Sequence, residues 1–316
     1  MNIVYSPRKV DLFYPARSGN FFSSGLPETE AALCAEMVRV AYCRSEPNFQ
    51  FDQQQVRAIL EPLGFMCQFF ENTGTPNGMG SHGLLAVHED SEPSRSLAVL
   101  AFRGTDADDP TDLADDAEFL QCNWPLGAQS PSIGLVDTGF AGAIGPLLPT
   151  LSPALDKLRG RVLVTGHSLG AAMATLLASI RPPDFLYTFG SPRVGDAQFV
   201  STLNGLSNRR FVDCCDIVAR IPPESLGKIK YEHYGVPFYI DRGRQITENP
   251  ADSEVEEDRI AAASEYLVEY AWRKGNLAVR ELADHAPINY VTAVATDASQ
   301  PKLARWKVAM NAAASN

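Results

Sequence analysis

Residues 161–180 read RVLVTGHSLGAAMATLLASI. Arg161 to Thr165 form a short apolar run of strand length, and Ala171 to Ile180 form an alanine-rich stretch of helical character. Between them stands Gly166-His167-Ser168-Leu169-Gly170, the pattern G-x-S-x-G. A serine hydroxyl is a weak nucleophile and has to project from a tight strand-to-helix turn to be used as one. Glycines flank it because a Cβ there would clash with the neighbouring strand and helix. The Leu169 backbone N–H would lie at the helix N-terminus, where negative charge developing on a carbonyl oxygen is stabilised. Ser168 is therefore the candidate nucleophile.

Working outward, strand and helix signals alternate. Pro27 to Cys43 and Asp52 to Glu61 read as helices, and Phe65–Phe70, Leu84–His88 and Leu97–Phe102 as strands. A helical stretch around Phe140 to Leu158 precedes the decisive segment. Strands at Phe185–Phe189, Arg210–Asp213 and Pro237–Ile240 follow it, with a helix start at Asp196. Arg259 to Arg273 carries Ile260, Ala263, Leu267, Tyr270 and Ala271 at helical spacing, and Gly275 interrupts that helix before Asp284. Such alternation predicts an α/β fold: a mainly parallel central sheet with helices on both faces. No repeat at a solenoid period is present, and one domain over residues 1–316 accommodates all these elements.

The chain has 316 residues, 45% of them apolar and 21% charged, which excludes disorder, coiled coil and collagen. It carries 38 acidic and 27 basic residues, a formal charge of −11. That balance argues against nucleic acid or an anionic membrane as a nonspecific partner. The charge is localised: residues 104–156 hold nine acids and no Lys or Arg, leaving 29 acids against 27 bases elsewhere, or −2. Six scattered cysteines, without CxxC or zinc-type spacing, predict neither a disulfide framework nor a structural metal. No apolar run approaches the ~18 residues of a membrane span. Met1 to Phe22 lacks the apolar run of a secretory signal, so the cytoplasm is the default expectation, with export open if the sequence is a mature form.

Several ordered segments besides GHSLG resemble the class 3 (fungal-type) lipases of the α/β-hydrolase fold. They are AFRGT (101–105), GHSLGAAMATL (166–176), TFGSPRVGDAQF (188–199), RFVDCCDIVARIPP (210–223), HYGVPFYI (233–240) and DHAPINYV (284–291). The resemblance covers about residues 30–292. By position it implies Ser168 as nucleophile, Asp216 as the orienting acid and His285 as general base, in the chain order the fold requires. It implies Thr105 and Leu169 as oxyanion-hole donors. Among five histidines, His167 is taken as the motif's variable position, pointing away from the serine's partners, and His233 as structural. Asp213 and Asp196 are rivals for the acid, the latter reading as a helix N-cap. Arg103 and Arg193 read as ion pairs that hold loops.

The resemblance further implies a lid over about residues 106–125. Here that stretch carries seven acids within residues 106–118, with Leu113, Phe119 and Leu120 as apolar contacts and Trp124 later than the family's usual Trp. Asp106 and Asp108 with Pro110 break the calcium-loop pattern, so no metal is expected. VDTGF (136–140) stands where the family more often has V-H-x-G-F. Asp252, Glu254, Glu256, Glu257 and Asp258 read as the acidic start of the late helix, and Cys214 and Cys215 as alternating strand residues. What the resemblance implies is a cofactor-free serine ester hydrolase acting on neutral esters or acylglycerols, met at a lipid–water interface. A phospholipase A1 and a lipase-like binding protein without turnover are the alternatives.

Overall fold

The computed structural model describes residues 5–22, 25–45, 50–72, 80–104, 119–127, 131–297 and 299–303. Eight strands form one sheet, and their order across it is their order in the chain. They are β1 (Met66–Asn72), β2 (Ser81–His88), β3 (Leu97–Phe102), β4 (Arg161–His167), β5 (Phe185–Phe189), β6 (Asn208–Asp213), β7 (Pro237–Ile240) and β8 (Ile246–Glu248). β3 to β7 run parallel, in registers such as Phe102 opposite Gly166 and His167 opposite Phe189. β1 and β2 on one side and β8 on the other are antiparallel to their neighbours. The expected α/β, mainly parallel sheet is what forms.

Described helices are α1 (Lys9–Phe13), α2 (Glu30–Val40), α3 (Gln53–Leu60), α4 (Thr138–Ile144), α5 (Leu148–Leu155), α6 (Leu169–Ile180), α7 (Ala197–Ser201), α8 (Asp252–Glu269), α9 (Arg280–Ala283) and α10 (Pro287–Val294). Side chains alternate across a strand, so β3 feeds two cores. Leu97, Val99 and Ala101 pack with α2, α3 and α10 on one face. Ala98, Leu100 and Phe102 pack with α4 and α6 on the other. Helices cover both faces, which is why the central strands are continuous apolar runs.

Three sequence expectations change, and a fourth falls outside the described residues. The helix foreseen over Phe140–Leu158 is split into α4 and α5 by a 3₁₀ turn at Gly145–Leu147, because Pro146 and Pro149 remove N–H donors there. The late helix starts at Asp252 rather than Arg259, so the acidic run occupies its first two turns, and Glu254 accepts the Ala251 N–H at 3.1 Å. Cys214 and Cys215 lie in a turn just past the end of β6 and not in the strand. Thr105 and most of the foreseen lid, residues 106–118, lie outside the described residues. Its end is described: Gln121–Asn123 pairs antiparallel with Leu135–Asp137, and buried Trp124 donates its indole N–H to Ser179 Oγ at 2.9 Å.

The amino-terminal segment crosses to the other end of the chain. Tyr5 donates its hydroxyl to Asp284 Oδ1 at 2.7 Å, the Ser6 N–H donates to Asn289 Oδ1 at 2.8 Å, and Asn289 Nδ2 donates back to the Ser6 carbonyl at 2.9 Å. Arg280 lies over the Tyr5 ring and donates to Asp284 Oδ2 at 3.0 Å. These contacts clasp the loop that carries His285.

The glycines around Ser168 are set by close backbone approach. A Cβ on Gly170 would stand 2.3 Å from the Phe102 carbonyl oxygen, and one on Gly166 would stand 2.1 Å from that of Gly170. Both neighbours are backbone, so relief requires α6 to lift off the sheet. Gly170→Ala is expected to lower the unfolding free energy by about 2–3 kcal/mol, the range for overpacking. The readout is the urea midpoint at unchanged m-value; a wild-type midpoint would mean that α6 moves without cost.

Candidate active site

Ser168 stands between β4 and α6 with φ 58° and ψ −131°, a positive-φ backbone that a non-glycine residue adopts only under constraint. Its N–H donates to the Phe189 carbonyl at 3.1 Å, and its own carbonyl accepts from Ala171 and Ala172, the first turn of α6. The N–H groups of Leu169 and Gly170 therefore belong to the open end of that helix. Ser168 is 2% exposed, and its hydroxyl makes no hydrogen bond to a described residue. Gly104, at the end of the FRGT strand, comes so near that a Cβ on it would lie 2.9 Å from Ser168 Cβ. Thr105 is the next residue along.

Asp216 lies just past the parallel strand β6, and His285 just before α10. His285 Nδ1 donates to both carboxylate oxygens of Asp216 at 2.9 Å. Oδ2 also accepts the Tyr290 hydroxyl at 2.5 Å, and Oδ1 the Val218 N–H at 2.8 Å. Burial alone would raise the Asp216 pKa, but the imidazole and these donors outweigh it and hold the carboxyl below its ordinary value. Gly190 of the TFGSP segment makes room for this group. Its φ is +57°, and a Cβ there would stand 2.6 Å from Asp216 Oδ2 and 3.1 Å from His285 Nδ1. With Nδ1 committed to Asp216, the free nitrogen of His285 is Nε2.

The rivals for the acid have other tasks. Asp213 holds Arg244 in a buried pair, accepting from Nη1 with both oxygens at 2.7 Å. Asp196 caps α7 through the Phe199 N–H at 2.8 Å, and Asp137 of VDTGF caps α4 in the same way. His233 hydrogen-bonds the Ala219 carbonyl at 3.0 Å. His82 bonds the Gly80 carbonyl; burial, then the Arg103 guanidinium, pushes its pKa down to about 3. Arg193 does hold loops, donating to the carbonyls of Arg220 and Pro222 and to Glu224.

His167 departs from expectation. Instead of pointing away, its ring lies against that of His285, centroids 4.4 Å apart and the planes tilted by 32°. Its Nε2 lies 2.8 Å from the His285 carbonyl oxygen and its Nδ1 2.7 Å from the Tyr42 hydroxyl, which also accepts the Gly104 N–H at 3.1 Å. Tyr42, Gly190 and Tyr290 carry no local sequence signal for a site. Their contacts reach 62, 26 and 74 residues along the chain, to Gly104 and Asp216.

Among the described residues no helix is long and apolar enough to cross a membrane. Residues 99–226 match the class 3 lipase family. Over 184 residues the chain is 36% identical to the secreted mono- and diacylglycerol lipase A of Penicillium cyclopium, covering 55% of this chain and 56% of that one. Over 180 residues it is 34% identical to the lipase of Rhizomucor miehei, covering 52% and 47%. The chain thus spans about half the length of these curated relatives. The Penicillium protein is named as secreted, and the cytoplasmic expectation finds no support. The triacylglyceride lipase structure of R. miehei aligns at TM-score 0.52 and 22% identity, over 83% of this chain and 94% of that one, a likeness of fold. Residues 99–226 are thus similar in sequence to the class 3 lipases, and the chain shares the fold of the fungal lipase structures.

Proposed function

We propose that this protein, folded as one domain, hydrolyses acylglycerol esters through an acyl-enzyme on Ser168. The observation that carries this reading is the Asp216–His285 pair beside the Ser168 turn: Asp216 occupies Nδ1 and leaves Nε2 as the proton acceptor. His285 takes the hydroxyl proton as Ser168 Oγ attacks the ester carbonyl, and returns it to the leaving alcohol. Water then repeats the sequence and frees the acid. Asp216 fixes the tautomer and stabilises the imidazolium. The Leu169 N–H, together with a donor from Thr105, receives the carbonyl oxygen as it becomes negative. The nearness of Gly104 to Ser168 supports the Thr105 assignment.

Neutral esters are the favoured substrates, since the acids of residues 106–118 follow directly on the proposed oxyanion strand. A lipid anion would meet like charge there. The protein acts outside the cell at a lipid–water interface, a reading supported by the secreted relative. The experiment compares acyl release from emulsified triacylglycerol, phosphatidylcholine and phosphatidylglycerol, with fluorophosphonate labelling of Ser168 alongside. Triacylglycerol is expected to exceed phosphatidylglycerol by about tenfold or more. A faster phospholipid reaction would mean a phospholipase, and a folded but unlabelled protein would mean a binding module.

A further inference from the structure

The residues of the site come from separate segments: Tyr42, Gly104, the adjacent His167 and Ser168, Asp216, and His285. One chain of hydrogen bonds ties them together outside the Asp216–His285 pair. The Gly104 N–H donates to the Tyr42 hydroxyl (3.1 Å), Tyr42 meets His167 Nδ1 (2.7 Å), and His167 Nε2 meets the His285 carbonyl (2.8 Å). The directions follow from chemistry. A carbonyl oxygen only accepts, so His167 Nε2 bears a proton. A neutral imidazole then has a lone pair on Nδ1, and Tyr42 donates to it while its oxygen receives the Gly104 N–H.

We infer that Tyr42 and His167 are positioning residues for the reaction: a directed bridge holding the backbone of the base, His285, and the oxyanion strand end, Gly104, in register with Ser168. The inference rests on the reading of His285 as base and goes beyond it. Because His167 is joined covalently to Ser168 and by hydrogen bond to His285, it fixes the separation of nucleophile and base. Tyr42 fixes the third corner, the strand end from which Thr105 follows.

The bridge works only with His167 uncharged. Its ring lies 4.4 Å from that of His285, which must carry a positive charge during acyl transfer. The groups facing it are Tyr42 beyond α2, His285, Tyr290 on α10 and, past His285, Asp216, whose oxygens are already taken by His285, Tyr290 and Val218. No carboxylate is therefore free to pair with a charged His167 from these elements. Burial, then the neighbouring His285, lowers its proton affinity well below the usual imidazole range. Removing the Tyr42 hydroxyl leaves Nδ1 without its donor and opens it to a proton.

Tyr42→Phe keeps the ring and removes the bridge. Its kcat on p-nitrophenyl butyrate is expected to fall about ten- to hundredfold, with KM within about twofold and the acid limb of the rate profile moved to higher pH. His167→Gln can donate to the His285 carbonyl and accept from Tyr42, so it should retain several times the kcat of His167→Leu. A lowered melting temperature with wild-type kcat and profile in Tyr42→Phe would overturn the inference, as would equal losses of kcat in His167→Gln and His167→Leu. A readout independent of turnover is the ¹⁵N spectrum of His167 in Ser168→Ala protein. The bridge requires the Nε2–H tautomer from about pH 5 to about pH 8. Protonation at Nδ1 in that range overturns it. Should wild-type protein fail to take a fluorophosphonate, the ester-hydrolase reading falls, and the tautomer still decides the bridge.

Discussion

Ser168→Ala is expected to lower kcat on p-nitrophenyl butyrate by about ten-thousandfold or more and to abolish fluorophosphonate labelling. Among the described residues no other hydroxyl or thiol is held at the same turn, facing the open end of α6, so none of them takes over the attack. What activity remains would come from the oxyanion donors and binding acting on water. KM should change little, because the serine hydroxyl contributes to the transition state far more than to ester binding. Stability should change little too. The hydroxyl has no described hydrogen-bond partner, and alanine meets the same strained φ of 58°. Wild-type rates in this variant would end the proposal that Ser168 forms the acyl-enzyme.

Asp216→Asn is expected to cost about ten-thousandfold in kcat with the fold retained. Asparagine keeps the shape but offers one acceptor oxygen where three donors converge, from His285, Tyr290 and Val218. Its amide N–H favours the wrong imidazole tautomer and leaves the imidazolium unbalanced. The native carboxyl sits below its ordinary pKa, so its stabilising effect is complete above the usual carboxylate range. That effect disappears as pH falls through the depressed folded value. Asp216 therefore stays charged across mildly acid conditions. The control is Asp213→Asn, three residues away. It weakens a buried, doubly bonded partner of Arg244, and should cost about 3 kcal/mol of stability while the folded fraction keeps its kcat within a few-fold. Urea unfolding and kcat per labelled site separate the two. The opposite pattern, with Asp213 losing chemistry and Asp216 losing only stability, would exchange their roles.

What could be read from the sequence follows how local its cause is. Leu97–Phe102, Phe185–Phe189 and Pro237–Ile240 are strands with the expected ends, because each is buried along its length save for half-buried Phe185 and Pro237 at two of the starts. The Ser168 turn is legible for the same reason: strand, glycines and helix sit within one short stretch. β8 goes unread because it is an edge strand whose residues are exposed or half-exposed, so no apolar alternation marks it. The helix over 140–158 fails where prolines fall inside an otherwise helical pattern. His167 is misjudged because its orientation is set by a carbonyl 118 residues away, invisible to any pattern in GHSLG. Tyr42 and Tyr290 matter by the same kind of long reach, and Gly190 because an Asp and a His from distant segments pack over it.

The clasp between Tyr5–Ser6 and Asp284–Asn289 joins residues whose synthesis is separated by most of the described chain. At ~5–20 residues per second, roughly 14–56 s pass between the two. During that interval the proposed base has not been translated, and the amino-terminal segment has nothing to seat. Strand by strand the sheet can assemble behind the ribosome, since its spatial order is its order of synthesis. On the proposed mechanism, a chain broken off before His285 would have no base for the attack and would leave the lipids of the cell that makes it untouched.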